Sequence, residues 1–503
     1  MRFAKLLIFL VCAFVIVVCC EVAVLQTVAS SPMGSPRVED PPGPQEAGFP
    51  KPVVYPLKAS PNQRYLVDQN NQPFLMVGDA PQTIIATLTL PEAAAYMANR
   101  EQYGINTLWI NLLCNFSDGC NKDARTVDGV APFLAAGDLS KPDPAYFQRV
   151  DDIIRLAATH GMVVLLDPIE TTSWLPILRA AGVEQAFGYG QYLGRRYKDF
   201  PNIIWMHGND FQSWRDVIDD ALVQAVARGI RSEDQTHIHT IELNYLTSGS
   251  LDDPGWASLI DLDAAYTYFP TFAQVLTEYD RAAFKPVFMV EASYEFERGR
   301  DGSPEALRRQ EYWTMLSGAT GQVYGSGYTW RLEKSWDSKI DTPGAVQLRL
   351  MKDLFIGRKW YDLKPDQDHS VAVAGYGWLS EHVGQLIAYI GNFRLPFNLV
   401  PRLKEYMPLA SVSTNTFAPA ARASDGSLLI AYLPAIRTLT IDMSKLAGSA
   451  TARWYDPTSG QYSEIEGSPF SNDALRQFRP PGNNAAGDGD WVLILEVGRP
   501  SLQ

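Results

Sequence analysis

Between residue 73 and about residue 356, short and nearly continuous apolar runs alternate with longer stretches whose apolar residues recur at helical spacing. Eight runs read as strands: 73–79, 105–113, 162–168, 202–208, 237–243, 263–269, 286–292 and 321–327. Apolar positions without strict alternation mark strands covered on both faces, as in a parallel sheet. The intervening stretches carry helix punctuation. Thr89-Leu90-Pro91-Glu92 reads as a capping box with proline in the first turn, and Gly104 as the stop. Asp143-Pro144 opens a second helix whose Phe147, Val150, Ile154 and Ala157 share one face, and Gly161 ends it. Stretches 216–230, 272–283, 304–317 and 345–356 repeat the pattern. Eight strand–helix units in series predict an α/β fold, a closed (β/α)8 TIM barrel. No glycine-rich phosphate fingerprint follows the first run, which disfavours a dinucleotide-binding sheet.

Past residue 360 the period changes to two. Runs at 427–433, 438–443, 450–455 and 491–496 are separated by turn signals, Asp425-Gly426 and Asp456-Pro457-Thr458-Ser459-Gly460 among them. This predicts a small all-β sandwich over 361–503 behind a catalytic barrel over 51–360. Segment 377–407 fits neither pattern and reads as an insertion between them.

The N-terminus reads as a leader. Arg2 and Lys5 precede an apolar run from Leu6 to Cys20, and Thr27-Val28-Ala29 supplies a small-residue site. Residues 1–30 are expected to be a signal peptide, with an uncleaved membrane anchor as the alternative. Residues 31–50, rich in Pro, Gly and Ser, read as a flexible linker. The protein is therefore expected to be secreted or held at the cell envelope. Three of its 5 cysteines lie in the leader. Cys114 and Cys120 remain, and in an exported chain they are either a short-loop disulfide or two free thiols. Asn115-Phe116-Ser117 matches a glycosylation sequon.

A net charge of −13 lacks the basic footprint that nucleic acid requires. It suits a soluble protein acting on neutral or weakly charged substrates. Some of the 12 Trp and 23 Tyr are expected to stack on sugar faces, the rest to fill cores.

Barrel enzymes place their chemistry at the C-terminal ends of the strands. Here those positions carry Asp79, Asn111, Asp167, Glu170, Asp210, Glu242, Tyr268, Glu291 and Tyr324. No Ser or Cys nucleophile is paired with a nearby His. His207, His237 and His239 form no metal-ligand motif, so no metal and no cofactor are expected. Two carboxylates across a cleft suit glycosidic bond cleavage, one donating a proton and the other attacking or stabilising the oxocarbenium centre. Asp210, just past the fourth strand, and Glu291, at the end of the seventh, are the best placed pair. Asn209 is positioned to bind a sugar hydroxyl beside the reacting carbon. Either acid could instead cap a helix or pair with an arginine.

These residues carry a resemblance. Ser60-Pro61-Asn62-Gln63-Arg64-Tyr65-Leu66-Val67-Asp68 with Gly78-Asp79, Tyr96-Met97-Ala98-Asn99-Arg100, Asn202-Ile203-Ile204-Trp205 with Asp210, Lys285-Pro286-Val287 through Glu291 and Tyr294, and Gly321 to Gly325 with Trp330 resemble the apiosidase-like glycoside hydrolases, glycoside hydrolase family 140. Arg453-Trp454-Tyr455-Asp456-Pro457 and Asp490-Trp491-Val492-Leu493 resemble that family's terminal sandwich, of the collagen-binding type. The resemblance implies a retaining, exo-acting glycosidase with Asp210 as acid/base and Glu291 as nucleophile. Asp79, Asn111, Asp167, Asn209, Tyr268, Tyr324 and Trp330 are the expected substrate-binding residues, and a polysaccharide or oligosaccharide the expected partner. The sequence departs from the family at Ala80-Pro81-Gln82, at Asn209 and at His207. These departures are expected around the sugar pocket, so a furanose or a pyranose other than apiose stands beside it as substrate. A non-catalytic carbohydrate-binding protein on the same scaffold is the alternative, but such a protein has no need to keep both acids.

Overall fold

The computed structural model describes residues 52–114, 120–121, 123–212, 216–391, 404 and 407–498. The expected leader and linker lie outside these residues, as does the sequon triplet. Eight parallel strands build the barrel: β1 (Met76–Asp79), β2 (Thr107–Asn111), β3 (Val163–Asp167), β4 (Ile203–Gly208), β5 (His239–Glu242), β6 (Asp263–Thr267), β7 (Val287–Glu291) and β8 (Gly321–Tyr324). Each lies inside one of the eight apolar runs, trimmed at its ends. β1 to β5 pair in sequence, β6 pairs β7, β7 pairs β8, and β8 returns to β1.

Closure is interrupted between β5 and β6. A short strand, Thr247–Ser248, pairs antiparallel with the upper half of β6. Below it a single side chain spans the gap. The Ser250 hydroxyl donates to the Ile241 carbonyl at 2.6 Å and accepts the Ala264 N–H at 2.8 Å. One hydroxyl can do both, because it carries one proton and two lone pairs. The Asp261 N–H adds a bond to the His239 carbonyl at 2.8 Å.

Successive strand residues face opposite sides, and this decides what each one meets. Met76, Trp109, Leu165, Ile204, Met206, Ala264, Phe288 and Val323 point inward and fill the barrel. Val77, Leu108, Ile110, Val164, Leu166, Trp205 and Ile241 point outward and pack under the helices. Among the described residues seven helices of more than one turn make that outer layer: α1 (Leu90–Gln102), α2 (Pro144–Thr159), α3 (Thr171–Tyr197), α4 (Val217–Glu233), α5 (Thr271–Tyr279), α6 (Pro304–Leu316) and α7 (Pro343–Ile356). The Thr89–Glu92 capping box and the Asp143 cap both form. α3 is invisible to periodicity. It contains Pro176, kinks at Gly182, and meets α4 through small residues. Gly190 touches the backbone of Val226 and Gly229, so no apolar stripe is needed there.

Beyond Asp362 a six-stranded antiparallel sheet runs in the order Leu363–Pro365, Ala420–Ala423, Leu428–Leu433, Trp491–Val497, Ala450–Tyr455, Tyr462–Glu464. Its Leu429, Ala431, Leu433, Leu493 and Leu495 pack against the three-stranded sheet that contains Leu439 and Ile441. Its other face, Leu428, Ile430, Tyr432, Val492 and Ile494, packs on the barrel helices. Burial on both faces makes Leu428–Leu433 and Trp491–Val497 nearly continuous apolar runs, a departure from the alternation expected of them. α6 sits at that junction and is buried all round. Tyr312 stacks on Tyr432 at 4.9 Å, the Trp313 indole donates to the Phe417 carbonyl, and Arg308 grips Asp490 through two contacts of 2.8 Å. Part of segment 377–407 is a helix, α8 (Trp378–Gly391), which seats Gly384 on Phe272 of α5. Cys114 and Cys120 form a disulfide, with Cα atoms 6.1 Å apart. Among the described residues no helix is long and apolar enough to cross a membrane.

Ser250→Ala leaves the Ile241 carbonyl and the Ala264 N–H buried without a partner. A loss of about 1–3 kcal/mol per orphaned group is expected in urea unfolding of the full chain. A variant as stable as the parent protein refutes the role of this hydroxyl in closing the barrel.

Candidate active site

Three local features bring the acids to one mouth of the barrel. First, β4 ends in a left-handed turn. Gly208 has φ 77°, and a Cβ there would lie 2.6 Å from the Glu242 carbonyl oxygen. Asp210 follows with φ 53°, a strained conformation that Asp tolerates better than most residues. Second, the register of β7 against β6 slips by one residue: Ala265 faces Met289, but Tyr266 faces Glu291. Simple alternation would turn Glu291 outward, since Phe288 and Val290 already point in. The bulge re-aims the carboxyl into the barrel. Third, β6 and the residue just past it present Tyr266 and Tyr268, two residues apart, toward the barrel interior.

One phenol oxygen ties these features together. Tyr266 Oη lies 2.6 Å from Asp210 Oδ1 and 3.2 Å from Glu291 Oε1. The two carboxyl oxygens can therefore be no farther apart than the sum of those contacts, about 5.8 Å. Tyr268 also donates to Glu291 Oε1, and Tyr294 donates to Oε2 at 2.8 Å. Burial raises the proton affinity of both acids. That of Glu291 is pushed up to about 8, with the charge of Asp210 as the second cause. Two carboxyls this close do not both ionise, so the pair keeps a proton at neutral pH.

Behind the pair, Glu242 is fully buried. Its Oε2 accepts the Asp210 N–H at 3.1 Å and the Asn209 amide at 3.4 Å. Burial, then the charges of Glu291 and Asp210, hold it well above the usual carboxylate range. Asn111 points inward, donates to Asn209 Oδ1 at 3.3 Å and accepts from the Trp109 indole. Asp167 points inward too. One of its oxygens accepts the Ile169 N–H, and burial, then the Glu170 charge, raises its proton affinity. Glu170 itself caps α3 through the Thr172 and Ser173 N–H groups. Trp330 sits half-buried on the loop after β8, its indole donating to Glu297 at 2.8 Å.

Other expected pocket residues lie elsewhere. Asp79 shares the outward face of β1 with Val77 and is bound to Arg100 and Tyr96 of α1, each at 2.5 Å, with no exposure. Tyr324 faces outward on β8 and donates to Glu295. His207 faces outward from β4, where its ring meets His239 at 2.9 Å and lies against Trp256. Burial drives His207 down to about 3, so it is neutral. The His207 departure therefore sits under the helices and not in the pocket. Asn209 stays at the site, and so does Gln82, 3.4 Å from the Tyr294 hydroxyl. Sequence reasoning overlooked Tyr266, although its i−2 spacing from Tyr268 puts both on one face.

Two facing carboxyls, Glu291 buried and Asp210 half-buried, at the C-terminal mouth of a (β/α)8 barrel define a glycoside hydrolase arrangement. Known structures share the architecture. One, described as a glycoside hydrolase, has a TM-score of 0.72 at 22% identity and covers 89% of this chain and 98% of its own. Another, a family 5 glycoside hydrolase from Bacteroides vulgatus, has a TM-score of 0.71 at 22% identity, covering 89% and 95%. Residues 60–362 match the family model "Apiosidase-like, catalytic domain", and residues 410–496 match "Putative collagen-binding domain of a collagenase". The chain belongs to the apiosidase-like family and is a glycosidase. No curated protein sequence matches it.

Asp79→Asn strips the buried Arg100 of its counter-charge. A loss of about 3–5 kcal/mol is expected in denaturant unfolding at neutral pH. The titration of the Asp210–Glu291 pair, followed by carboxyl infrared spectroscopy, should not change. Unchanged stability with a shifted titration would place Asp79 in the site after all.

Proposed function

We propose that the chain is an exported, retaining, exo-acting glycosidase, with Asp210 as acid/base and Glu291 as nucleophile. The observation that carries the retaining reading is the upper limit of about 5.8 Å between the facing carboxyl oxygens. Retaining enzymes hold their carboxyls about 5–5.5 Å apart, and inverting enzymes leave about 6.5–9.5 Å for a water. The roles follow from the donors. Glu291 takes hydrogen bonds from Tyr268 and Tyr294 and can take one from Tyr266, which favours its ionised form. Asp210 has one phenol contact. At rest the shared proton sits on Glu291, whose proton affinity is pushed up to about 8, so the first step requires it to pass to Asp210 when substrate arrives.

In the first step Asp210 gives its proton to the glycosidic oxygen as a Glu291 oxygen bonds to the anomeric carbon. The C–O bond to the leaving group breaks, and a glycosyl ester on Glu291 remains. In the second step water attacks that carbon, its proton passes to Asp210, and the carboxylate of Glu291 leaves. No cofactor enters either step. Exo action is carried over from the family resemblance, and export, with or without membrane tethering, from the leader in the sequence. The substrate is a polysaccharide or oligosaccharide. Its sugar is left open by Ala80-Pro81-Gln82 and Asn209 near the pocket.

Incubation of the full chain with a glycan panel should release one monosaccharide, and proton NMR of the first product should show a retained anomeric configuration. Asp210→Asn and Glu291→Gln should each lower kcat/KM by roughly 10²- to 10⁴-fold while the protein stays folded. An inverted first product, or full activity in either variant, sinks the assignment. The pH profile has a definite sign. The pair loses its last proton as pH rises through about 8, so activity should fall above that pH. It should fall again at low pH, when Glu291 as well as Asp210 is protonated. A profile still rising well above pH 8 contradicts the shared proton.

A further inference from the structure

The loop after β7 carries a cation that the two-carboxylate scheme does not use. Phe296, Arg298 and Gly299 all have left-handed backbones, with φ of 66°, 53° and 61°. For a bulky Phe and an Arg that conformation costs energy and persists only where surroundings impose it. Arg298 is an exposed residue, yet its guanidinium carbon lies 3.3 Å above the centre of the Tyr268 ring. The same guanidinium donates to the Tyr245 hydroxyl at 3.2 Å. Tyr245 and Tyr268 pack edge to face at 5.5 Å. Arg298 forms no ion pair with any carboxylate among the described residues.

We propose that Arg298 is a positioning residue: stacked on Tyr268, it holds that phenol against Glu291 and sets a positive charge over the Asp210–Glu291 pair, and Asp301 holds the loop that carries it.

The geometry has two halves. Above the ring, the flat guanidinium and the Tyr245 hydroxyl fix the plane of Tyr268. Below it, the Tyr268 hydroxyl contacts both Glu291 Oε1 and, at 3.2 Å, the Tyr266 hydroxyl that reaches Asp210. A shift of the ring would loosen the whole phenol chain. The clasp lies three residues on. Asp301 accepts from Lys404 at 2.6 Å, from the Ser413 N–H at 2.9 Å and from the Ser411 hydroxyl. Lys404 belongs to a stretch, 363–409, that neither matching family model includes, and Ser411 and Ser413 open the sandwich. The strained loop is thus held from outside the barrel.

Among the described residues, the charged and titratable groups around Arg298 are Tyr268, Tyr245, Asp210, Glu291 and Lys404, with Asp301 on its own loop. The Arg298 charge opposes the burial effect on both acids, lowering the proton affinity of each. Lys404 is spent on Asp301. Removing Arg298 should therefore move both protonation steps of the pair to higher pH.

The first test needs no substrate, and so stands or falls apart from the glycosidase reading on which the kinetic arm rests. Carboxyl infrared titration of the resting full chain, assigned by difference against Glu291→Gln, should place Glu291 higher in Arg298→Met than in the parent by on the order of one pH unit. Arg298→Lys should recover most of that shift, since it returns the charge. Asp301→Ala should shift Glu291 the same way by less, with the fold checked by circular dichroism. An Arg298→Met titration that overlays the parent overturns the proposal. The second test uses an aryl glycoside of the sugar that the glycan panel releases. The kcat/KM profile of Arg298→Met should move to higher pH as a whole, with a loss of roughly tenfold to a hundredfold at neutral pH carried by kcat. A rise in KM alone, with the profile unmoved, would show that Arg298 contacts substrate instead and would falsify its action on the pair.

Discussion

Everything at the mouth of this barrel is organised by one phenol oxygen, that of Tyr266, which touches both Asp210 and Glu291. A phenol has a single proton, so it cannot satisfy two carboxylates at once, and two carboxylates so close repel each other. The arrangement is stable only with a proton shared in the pair. Each supporting feature serves that contact. The left-handed turn at Gly208 and Asp210 brings one acid down to it. The β7 bulge turns the other acid in. β6, which carries the phenol, is the strand at the interrupted seam, where Thr247–Ser248 and the Ser250 hydroxyl replace a regular neighbour.

Strand parity sorts the ring of polar residues into two sets with different physics. Inward residues, Asn111, Asp167, Glu242 and Tyr268, face the barrel mouth beside Asn209, Asp210 and Glu291. Outward residues, Asp79, Tyr324 and His207, face away from the barrel interior and are bound there by Arg100 of α1, Glu295 of the loop after β7 and His239 of β5. Both sets stand at or near strand ends, and both are polar and buried. Only the direction of the side chain separates a group that can touch a ligand from one that ties the outer layer to the sheet. Glu291 shows that direction is not fixed by counting alone, because one extra residue in a strand reverses it.

The barrel was legible in the chain because its strands are covered on both faces and so leave uninterrupted apolar runs. The capping signals at Thr89 and Asp143 were legible for an equally local reason, since a cap needs only its own neighbouring N–H groups. α3 was not, because Gly190 and Gly194 let it approach α4 backbone to backbone and no apolar stripe is required. α8 fits no strand–helix unit, and its partner, α5, lies a hundred residues earlier. The acid pair could be proposed from position on the strands. Tyr266, the bulge and the fate of Asp79 could not, for they depend on which strand lies beside which, and in what register.

The mouth holds Asp167, Glu170, Asp210, Glu242 and Glu291 within one buried region, and burial raises the proton affinity of each. Had the fold met these acids with a cation apiece, as it met Asp79 with Arg100, the site would be a set of neutral ion pairs with no free protons and no net field. Among the described residues it sets the Arg298 guanidinium at the rim with no carboxylate ion pair and leaves the remaining charge to be balanced by protons. A site built this way is poor at holding several negative charges and well suited to a positive one, because any cationic centre that develops between Asp210 and Glu291 finds carboxyl oxygens already in place and needs no reorganisation to meet them. An anomeric carbon losing its leaving group is such a centre. The same proton economy that lets the acids stay buried thus prepares the field that glycosidic cleavage requires.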